Sequence, residues 1–570
     1  MDGSGGNGRS RSAHPAPARP VSATPSSWST WGTRGPHPGA PPATVARLAA
    51  SPWWRGAAAV CAGALPALAF PAPSLWWLAY VALVPWMLLA RSAPTLRRAT
   101  LDGWLGGLGF MLAVHHWLLP SLHVFTIVIA ALLGLLWAPW GRLLRWLLGD
   151  TPSRGKAAAA LVVIPSAWLM VELVRSWQGL GGPWGLLGSS QWQVEPALRV
   201  ASVGGVWLVS ALVVAVNTAV TILVVARDAR TPAVAGLLVT ATVTTASWAW
   251  APRPDPTGRV RVAVVQPGPI GGTASVYKRL AREEALTRDL AGQHVDLVVW
   301  GESSVGFDLG ARPDLTRRIA ALSRAVGADI LVNVDARRAS PTGPQGIYKS
   351  SVLVGPNGLT GQRYDKMRLV PFGEYIPARP LFGWATAVGK AAGEDRIRGT
   401  RQVVMNLPSA REHGLRIGPL VCFETAFPDM TRNLTRDGAQ VLLAQSSTST
   451  FQHSWAPQQH ASLAALRAAE TGRPVVHATL TGVSAVYGPD GSRVGPWLGT
   501  SASTAHVYEV PTARGTTLYV RFGAWPVHAA VLTLFVLATA EAVRMFRRRT
   551  AAPLVRPVRT AHESPERPWR

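Results

Sequence analysis

Apolar positions in this chain have two textures. From Trp53 to about residue 250 they run almost unbroken, in seven stretches at 55–70, 74–90, 99–118, 124–147, 156–176, 204–226 and 231–250, and an eighth lies at 526–545. Each is near the ~20 residues that a helix needs to cross a bilayer, although the first is short and interrupted by Pro66. About eight spans are predicted. Between 251 and 525 the apolar runs shorten and alternate with amphipathic stretches. Strands are predicted at 260–266, 295–300, 329–334, 350–355, 359–364, 403–407, 416–422, 441–445, 475–480 and 485–488, and helices at 275–291, 313–326 and 456–471. Gly-Pro-Asn-Gly at 355–358 and Gly-Pro-Asp-Gly at 488–491 mark hairpin turns. This order predicts a layered α/β domain, its sheets covered by helices, inserted before the last span.

Composition agrees with the membrane reading. Only 15% of the 570 residues are charged, 48% are hydrophobic, and 25 Trp outnumber 12 Phe and 8 Tyr together, an excess expected at bilayer interfaces. Disorder throughout, collagen repeats and a disulfide-stapled domain are excluded. Part of the net charge of +26 sits at the ends of the apolar runs. Loops on one side carry Arg91, Arg97, Arg98, Arg142, Arg145, Arg154, Lys156, Arg227 and Arg230, and the last run is followed by Arg544 and Arg547–Arg549. The first and third loops carry no Lys or Arg. By the positive-inside rule both termini are cytoplasmic, and the charge orients the chain in the plasma membrane without implying a nucleic acid. The expected organisation is a disordered cytoplasmic tail (1–50), seven transmembrane helices (51–250), an extracytoplasmic domain (251–525), an eighth helix (526–545) and a basic cytoplasmic tail (546–570).

There are two cysteines. Cys61 falls in the first apolar run and Cys422 at the end of a predicted strand, so a disulfide between them is not expected and Cys422 is read as a free thiol. Such a cysteine is either packed as a small hydrophobe or used as a nucleophile, and the second use requires a base and a donor for the developing oxyanion. Glu302 ends the segment Val298-Val-Trp-Gly-Glu. Lys366 and Glu374 lie eight residues apart in the Pro/Gly-rich stretch beginning at Tyr364. Each alone reads as a solvated charge; together, Glu302, Lys366 and Cys422 each stand just beyond a strand.

That constellation resembles the Glu-Lys-Cys triad of the nitrilase (carbon-nitrogen hydrolase) superfamily, whose fold is an αββα sandwich. With the eight-span frame, the sequence from about 55 to 545 is similar to the apolipoprotein N-acyltransferase family. Matching segments are Gly182-Pro-Trp-Gly, Val-Pro-Phe-Gly-Glu-Tyr-Ile-Pro at 370–377, Cys-Phe-Glu at 422–424, Arg467-Ala-Ala-Glu-Thr-Gly-Arg-Pro and Arg521-Phe-Gly-Ala-Trp-Pro. The resemblance implies an acyltransferase that takes a fatty acyl chain from a phospholipid through a Cys422 thioester. The chain passes to the α-amine of an apolipoprotein's diacylglyceryl-cysteine, with no cofactor or metal. Glu302 would be the general base, Lys366 the oxyanion donor, Glu374 the support of Lys366, and Glu424 with Phe423 the support of the nucleophile turn.

Phe423 stands where the family commonly has Tyr, Gln445-Ser-Ser-Thr-Ser-Thr-Phe replaces an aromatic segment, and 268–275 lacks a Trp. The loop 378–399, with Phe382 and Trp384, is either a lipid-contacting lid or an exposed loop. Glu172 and Arg175 read as an interfacial ion pair, and His115, His116 and His123 as interfacial residues. Two other readings stay open: a membrane-tethered amidase that uses water as acceptor, and an inactive scaffold.

Overall fold

The computed structural model describes residues 51–271, 275–338, 345–384, 393–407 and 414–550. The predicted tail 1–50, residues 551–570 of the basic tail and the side chain of Phe382 lie outside the described residues. Among those described, five helices are long and apolar enough to cross a membrane: Val124–Leu148, Arg154–Arg175, Glu195–Val225, Arg227–Trp250 and Trp525–Arg547. The pair Leu96–Val114 and His116–Leu122, bent by 63°, makes a sixth if it is one span.

The first two predicted spans are therefore corrected to shorter pieces. Pro52–Ala64 gives way to a 3₁₀ turn at Leu65–Ala69, where Pro66 supplies no backbone donor. The second breaks into Trp76–Tyr80 and Val84–Arg91. Its broken backbone finds partners on the helix Glu195–Val225. Buried Asn217 accepts from the Leu83 amide at 3.0 Å and donates to the Ala79 carbonyl at 2.8 Å, so irregular backbone is tolerated at that depth.

The helices pack through glycine. In Leu96–Val114, a Cβ on Gly109 would stand 2.0 Å from the Val60 carbonyl oxygen, and one on Gly103 2.5 Å from that of Trp137. Such close approach replaces the hydrophobic drive that lipid tails do not supply. The tryptophan excess also divides. Trp53, Trp77, Trp177 and Trp250 are exposed on the helical region, but Trp86, Trp137, Trp140 and Trp168 are buried together, with ring centroids 4.9 to 6.4 Å apart.

The inserted domain is a four-layer sandwich. Its strands are β1 (Asp255–Gln266), β2 (Leu297–Trp300), β3 (Asp329–Arg338), β4 (Gly346–Gly355), β5 (Gly358–Asp365), β6 (Met405–Leu407), β7 (Leu415–Val421), β8 (Val441–Ser446), β9 (Val475–Thr479), β10 (Ser484–Tyr487), β11 (Arg493–Leu498) and β12 (Thr504–Arg514). They form two six-stranded sheets, ordered 12-1-2-3-4-5 and 11-10-9-8-7-6. The predicted hairpins join β4 to β5 and β10 to β11. Along β1 the side chains alternate: Val260, Val262 and Val264 enter the core between the sheets, and Ala263 and Val265 pack under the helices Ser275–Arg288 and Pro313–Val326. The other sheet is covered by Pro428–Arg436 and Ala456–Thr471.

The sandwich is joined to the membrane helices at a kink. Glu195–Val225 leaves helical geometry at Gly204 and Gly205, and the freed Val206 amide donates to the buried carboxylate of Glu470 at 2.7 Å. Arg467 pairs with Glu470 at 2.9 Å, and Leu466 and Ala469 pack on Leu198 and Ala201. Alanine in place of a mid-helix glycine normally stabilises by up to ~1 kcal/mol. At Gly109 the sign inverts: Gly109→Ala is expected to destabilise by about 1–3 kcal/mol, read as a lower unfolding midpoint in detergent. A raised midpoint would refute the close crossing.

Candidate active site

All three triad candidates stand just past strand ends at one end of the two sheets. Glu302 follows β2 by two residues, and its amide donates to the Ser446 carbonyl at the end of β8, 3.0 Å away, linking the sheets. Gly301 permits this approach, since a Cβ there would be 2.0 Å from the Leu480 amide nitrogen. Lys366 follows β5 directly, its amide bonded to the Lys349 carbonyl of β4 at 2.8 Å. Cys422 follows β7 and opens a 3₁₀ turn, Cys422–Ala426, with φ +51°. Ser303, beside Glu302, has φ +58°. Left-handed backbone at non-glycine residues is costly and persists only where surroundings enforce it.

For the turn of Cys422 those surroundings are Glu424 and His460. Glu424 is fully buried and accepts from the Tyr364 hydroxyl (2.7 Å), the Met367 and Arg368 amides (2.8 and 3.0 Å) and the Val421 amide (2.8 Å). One carboxylate thus ties the turn to the segment after Lys366. His460 donates from Nε2 to the Cys422 carbonyl at 3.0 Å and accepts at Nδ1 from Ser446 Oγ at 3.0 Å. Burial lowers its pKa to about 4, so the imidazole is neutral and this tautomer satisfies both bonds.

The charged side chains close into a ring. Lys366 Nζ lies 3.2 Å from Glu302 Oε1 and 2.8 Å from Glu374 Oε1. Lys349 Nζ lies 2.9 Å from the same Glu302 oxygen and 3.0 Å from the same Glu374 oxygen. Burial opposes ionisation of Glu302, but Lys349 and then Lys366 outweigh it and hold the carboxyl below its ordinary value. For Glu374 the same opposition is overcome by Lys366, then Lys349, to about 2. Burial, and after it the charge of Glu302, push the Cys422 thiol up to about 12. The resting ring is therefore two carboxylates and two ammoniums beside a protonated thiol. An electrically balanced base beside an un-ionised thiol can run acyl transfer by taking the thiol proton as the sulfur attacks.

A family model described as the apolipoprotein N-acyltransferase N-terminal domain matches residues 62–219, and the carbon-nitrogen hydrolase model matches 261–511. The apolipoprotein N-acyltransferase of Azotobacter vinelandii is 31% identical over 532 residues, 88% of this chain and 98% of that one. The chain belongs to the apolipoprotein N-acyltransferase family. The Geobacter metallireducens member is 29% identical over 515 residues, 84% of this chain and 94% of its own. Among solved structures, an amidase of the nitrilase superfamily from Nesterenkonia AN1 is 19% identical, with a TM-score of 0.32 over 49% of this chain and 98% of that one. The protein is thus a membrane-embedded acyltransferase whose N-terminal region is helical and whose second domain is a nitrilase-like sandwich.

The structure brings Glu302, Lys366, Glu374 and Lys349 into contact, with Cys422 close enough to feel all four charges, and places Glu424 behind the turn. Phe423 is buried edge-on against Phe427 at 4.9 Å. Both rings pack on Gly182, where a Cβ would meet them at 2.6 and 2.7 Å. Trp384 is exposed and meets Phe125 at 5.0 Å, at the head of the helix Val124–Leu148.

The ion pair expected of Glu172 and Arg175 is corrected. Both are buried, and each holds the loop that carries Gly182-Pro-Trp-Gly. Arg175 donates to the Trp184 and Gly185 carbonyls at 2.6 Å, and Glu172 accepts from the Leu187 amide at 2.7 Å. Trp184 then donates to Gln459 at 2.9 Å, on the helix that bears His460. Among the described residues no group of three or more His, Cys, Asp or Glu is placed to hold a metal ion.

Sequence reasoning missed Lys349 and His460. The signal for Lys349 was a charge at the edge of a predicted strand in a chain with only five lysines. For His460 it was a polar residue on the Ala-rich face of its helix. The raised thiol has a direct readout: alkylation of Cys422 by iodoacetamide in detergent should speed up about tenfold per pH unit up to pH 9, without a plateau. Glu302→Gln, which removes the nearest negative charge, should raise the rate at any fixed pH. A plateau near neutrality would mean a preformed thiolate.

Proposed function

We propose that this enzyme moves a fatty acyl chain from a membrane phospholipid to the α-amine of an apolipoprotein's N-terminal diacylglyceryl-cysteine, in two half-reactions on Cys422. In the first, Sγ attacks the ester carbonyl as its proton passes to Glu302. The tetrahedral oxyanion is held by Lys366. The C–O bond breaks, the lysophospholipid oxygen takes the proton from Glu302, and a thioester remains. In the second, the amine attacks the thioester, Glu302 accepts the amine proton, and the C–S bond breaks as the thiol recovers it. Thioester to amide is downhill. The observation that carries this reading is the closed Glu302, Lys366, Glu374 cluster beside a half-buried thiol in a domain anchored to membrane helices.

The same reading places residues 251–525 outside the plasma membrane and both termini in the cytoplasm. Support comes from the arginines at alternate ends of the eight apolar segments, with Pro52–Ala69 and Trp76–Arg91 completing the eight as short, broken crossings. Both substrates are then lipids of one leaflet, so holding the site there replaces a search through solution by proximity. Exposed Trp384, against a membrane helix, is placed to contact lipid. Gly182 to Gly185, clasped by Phe423 and Gln459, joins the membrane region to the back of the nucleophile turn.

Cys422→Ala is expected to form no hydroxylamine-sensitive acyl-enzyme with labelled phospholipid, and Lys366→Met to acylate about 10²–10³-fold more slowly. Label persisting in the alanine variant would overturn the thioester. Mass spectrometry of a lipoprotein N-terminus, from cells with and without the enzyme, is expected to show an amide-linked acyl chain only in the first. Release of free fatty acid with no amide would instead mark an amidase.

A further inference from the structure

Lys366 needs no second lysine to be an oxyanion donor, yet a second one is present. Lys349 reaches the ring from within a strand, β4, while Lys366, Glu374 and Glu302 come from loops. Its ammonium contacts the same two carboxylate oxygens as Lys366, at 2.9 and 3.0 Å. Its side chain is 13% exposed, where that of Lys366 is fully covered, so it forms the outer wall of the ring. Two of the chain's five lysines meet here, in a protein where Lys and Arg together number 56. A compact ammonium can serve two carboxylate oxygens at one point where a planar guanidinium has a different shape.

We propose that Lys349 is a positioning residue for the acyl transfer: it clamps the Glu302 and Glu374 carboxylates from the outer side and balances their charge, leaving Lys366 free to turn toward the oxyanion. This rests on the two half-reactions assigned above. Without Lys349 the ring would hold two carboxylates and one ammonium. When Lys366 moved toward a tetrahedral oxyanion, it would leave both carboxylates buried without a partner, which costs far more than the pair contributes. With Lys349 in place each carboxylate keeps one ammonium throughout.

The charge balance also decides when Glu302 can act as a base. Facing it are Lys349 from β4, Lys366 and Glu374 from the segment after β5, Cys422 after β7, and neutral His460 from the helix Ala456–Thr471. Behind Lys349 stands Asp335 of β3, 3.8 Å from its Nζ, itself held by the Ser303 hydroxyl at 3.1 Å and by Arg396 at 3.6 Å. Lys349 heads the groups that keep the Glu302 carboxyl ionised. Removing an opposite charge at this range raises a carboxyl by about one to two pH units.

The test is the pH dependence of single-turnover acyl-enzyme formation by the full-length enzyme in detergent, with labelled phosphatidylethanolamine. The acid limb of Lys349→Met is expected to move up by about one to two pH units relative to the unsubstituted enzyme. Lys349→Arg is expected to keep the original limb whatever its rate. Unfolding midpoints are measured alongside. A Lys349→Met limb that coincides with the original overturns the inference. So does loss of acylation at every pH with the midpoint unchanged, since that would place Lys349 at the reacting atoms. If Lys349→Met does not fold, Lys349→Arg decides: a limb that moves although the charge is kept also overturns it. Label on the Cys422→Ala control would instead overturn the thioester mechanism on which the inference rests.

Discussion

Four ionised side chains stripped of bulk water constrain this structure more than anything else in it. A lone buried charge neutralises itself or unfolds its surroundings; two carboxylates and two ammoniums survive burial only if each touches the others. Contacts of 2.8 to 3.2 Å among Glu302, Lys349, Lys366 and Glu374 meet that condition, and they demand that three separate chain segments meet in register. The register comes from the sheets. β2, β5 and β7 deliver their next residues to the same end of the sandwich, Gly301 lets the two sheets meet there, and the Glu302 amide is fastened to Ser446 on the opposite sheet.

The turn of Cys422 depends on this register and on a second buried carboxylate. Glu424 holds four donors from two segments, so the segment bearing Lys366 and the turn bearing Cys422 cannot drift apart. Its oxygens satisfy the backbone amides of Val421, Met367 and Arg368. Neutral His460 completes the fixation at the Cys422 carbonyl. Strain at one residue is thus sustained by hydrogen bonds spread over three elements.

Attachment to the membrane follows the same logic at larger scale. The break at Gly204 and Gly205 frees an amide inside a membrane helix, and Glu470 of the sandwich accepts it. On the other side Arg175 and Glu172 shape a loop whose Trp184 bonds Gln459. Both contacts end on the helix Ala456–Thr471, the element that also carries His460. The membrane region and the turn of Cys422 are therefore linked through one helix.

The sequence alone determined the division into apolar helices and an inserted sandwich, because hydrophobic periodicity is set locally by each segment's need to bury one face or all of them. It also singled out Glu302, Lys366 and Cys422 by their places just past predicted strands, and the fold brings those positions to one end of the two sheets. Only the tertiary structure decided how the first two apolar runs behave: the first breaks at Pro66, and the second breaks between Tyr80 and Val84, where Asn217, more than 130 residues away, satisfies the exposed backbone. The partners of Glu172 and Arg175 were beyond the sequence too, for helical spacing pointed to each other and the fold supplied a loop instead. Lys349 was hidden for the same reason. A charge within a strand is indistinguishable from a solvent-facing one until the neighbouring loops close over it, and that closure is a property of long-range packing.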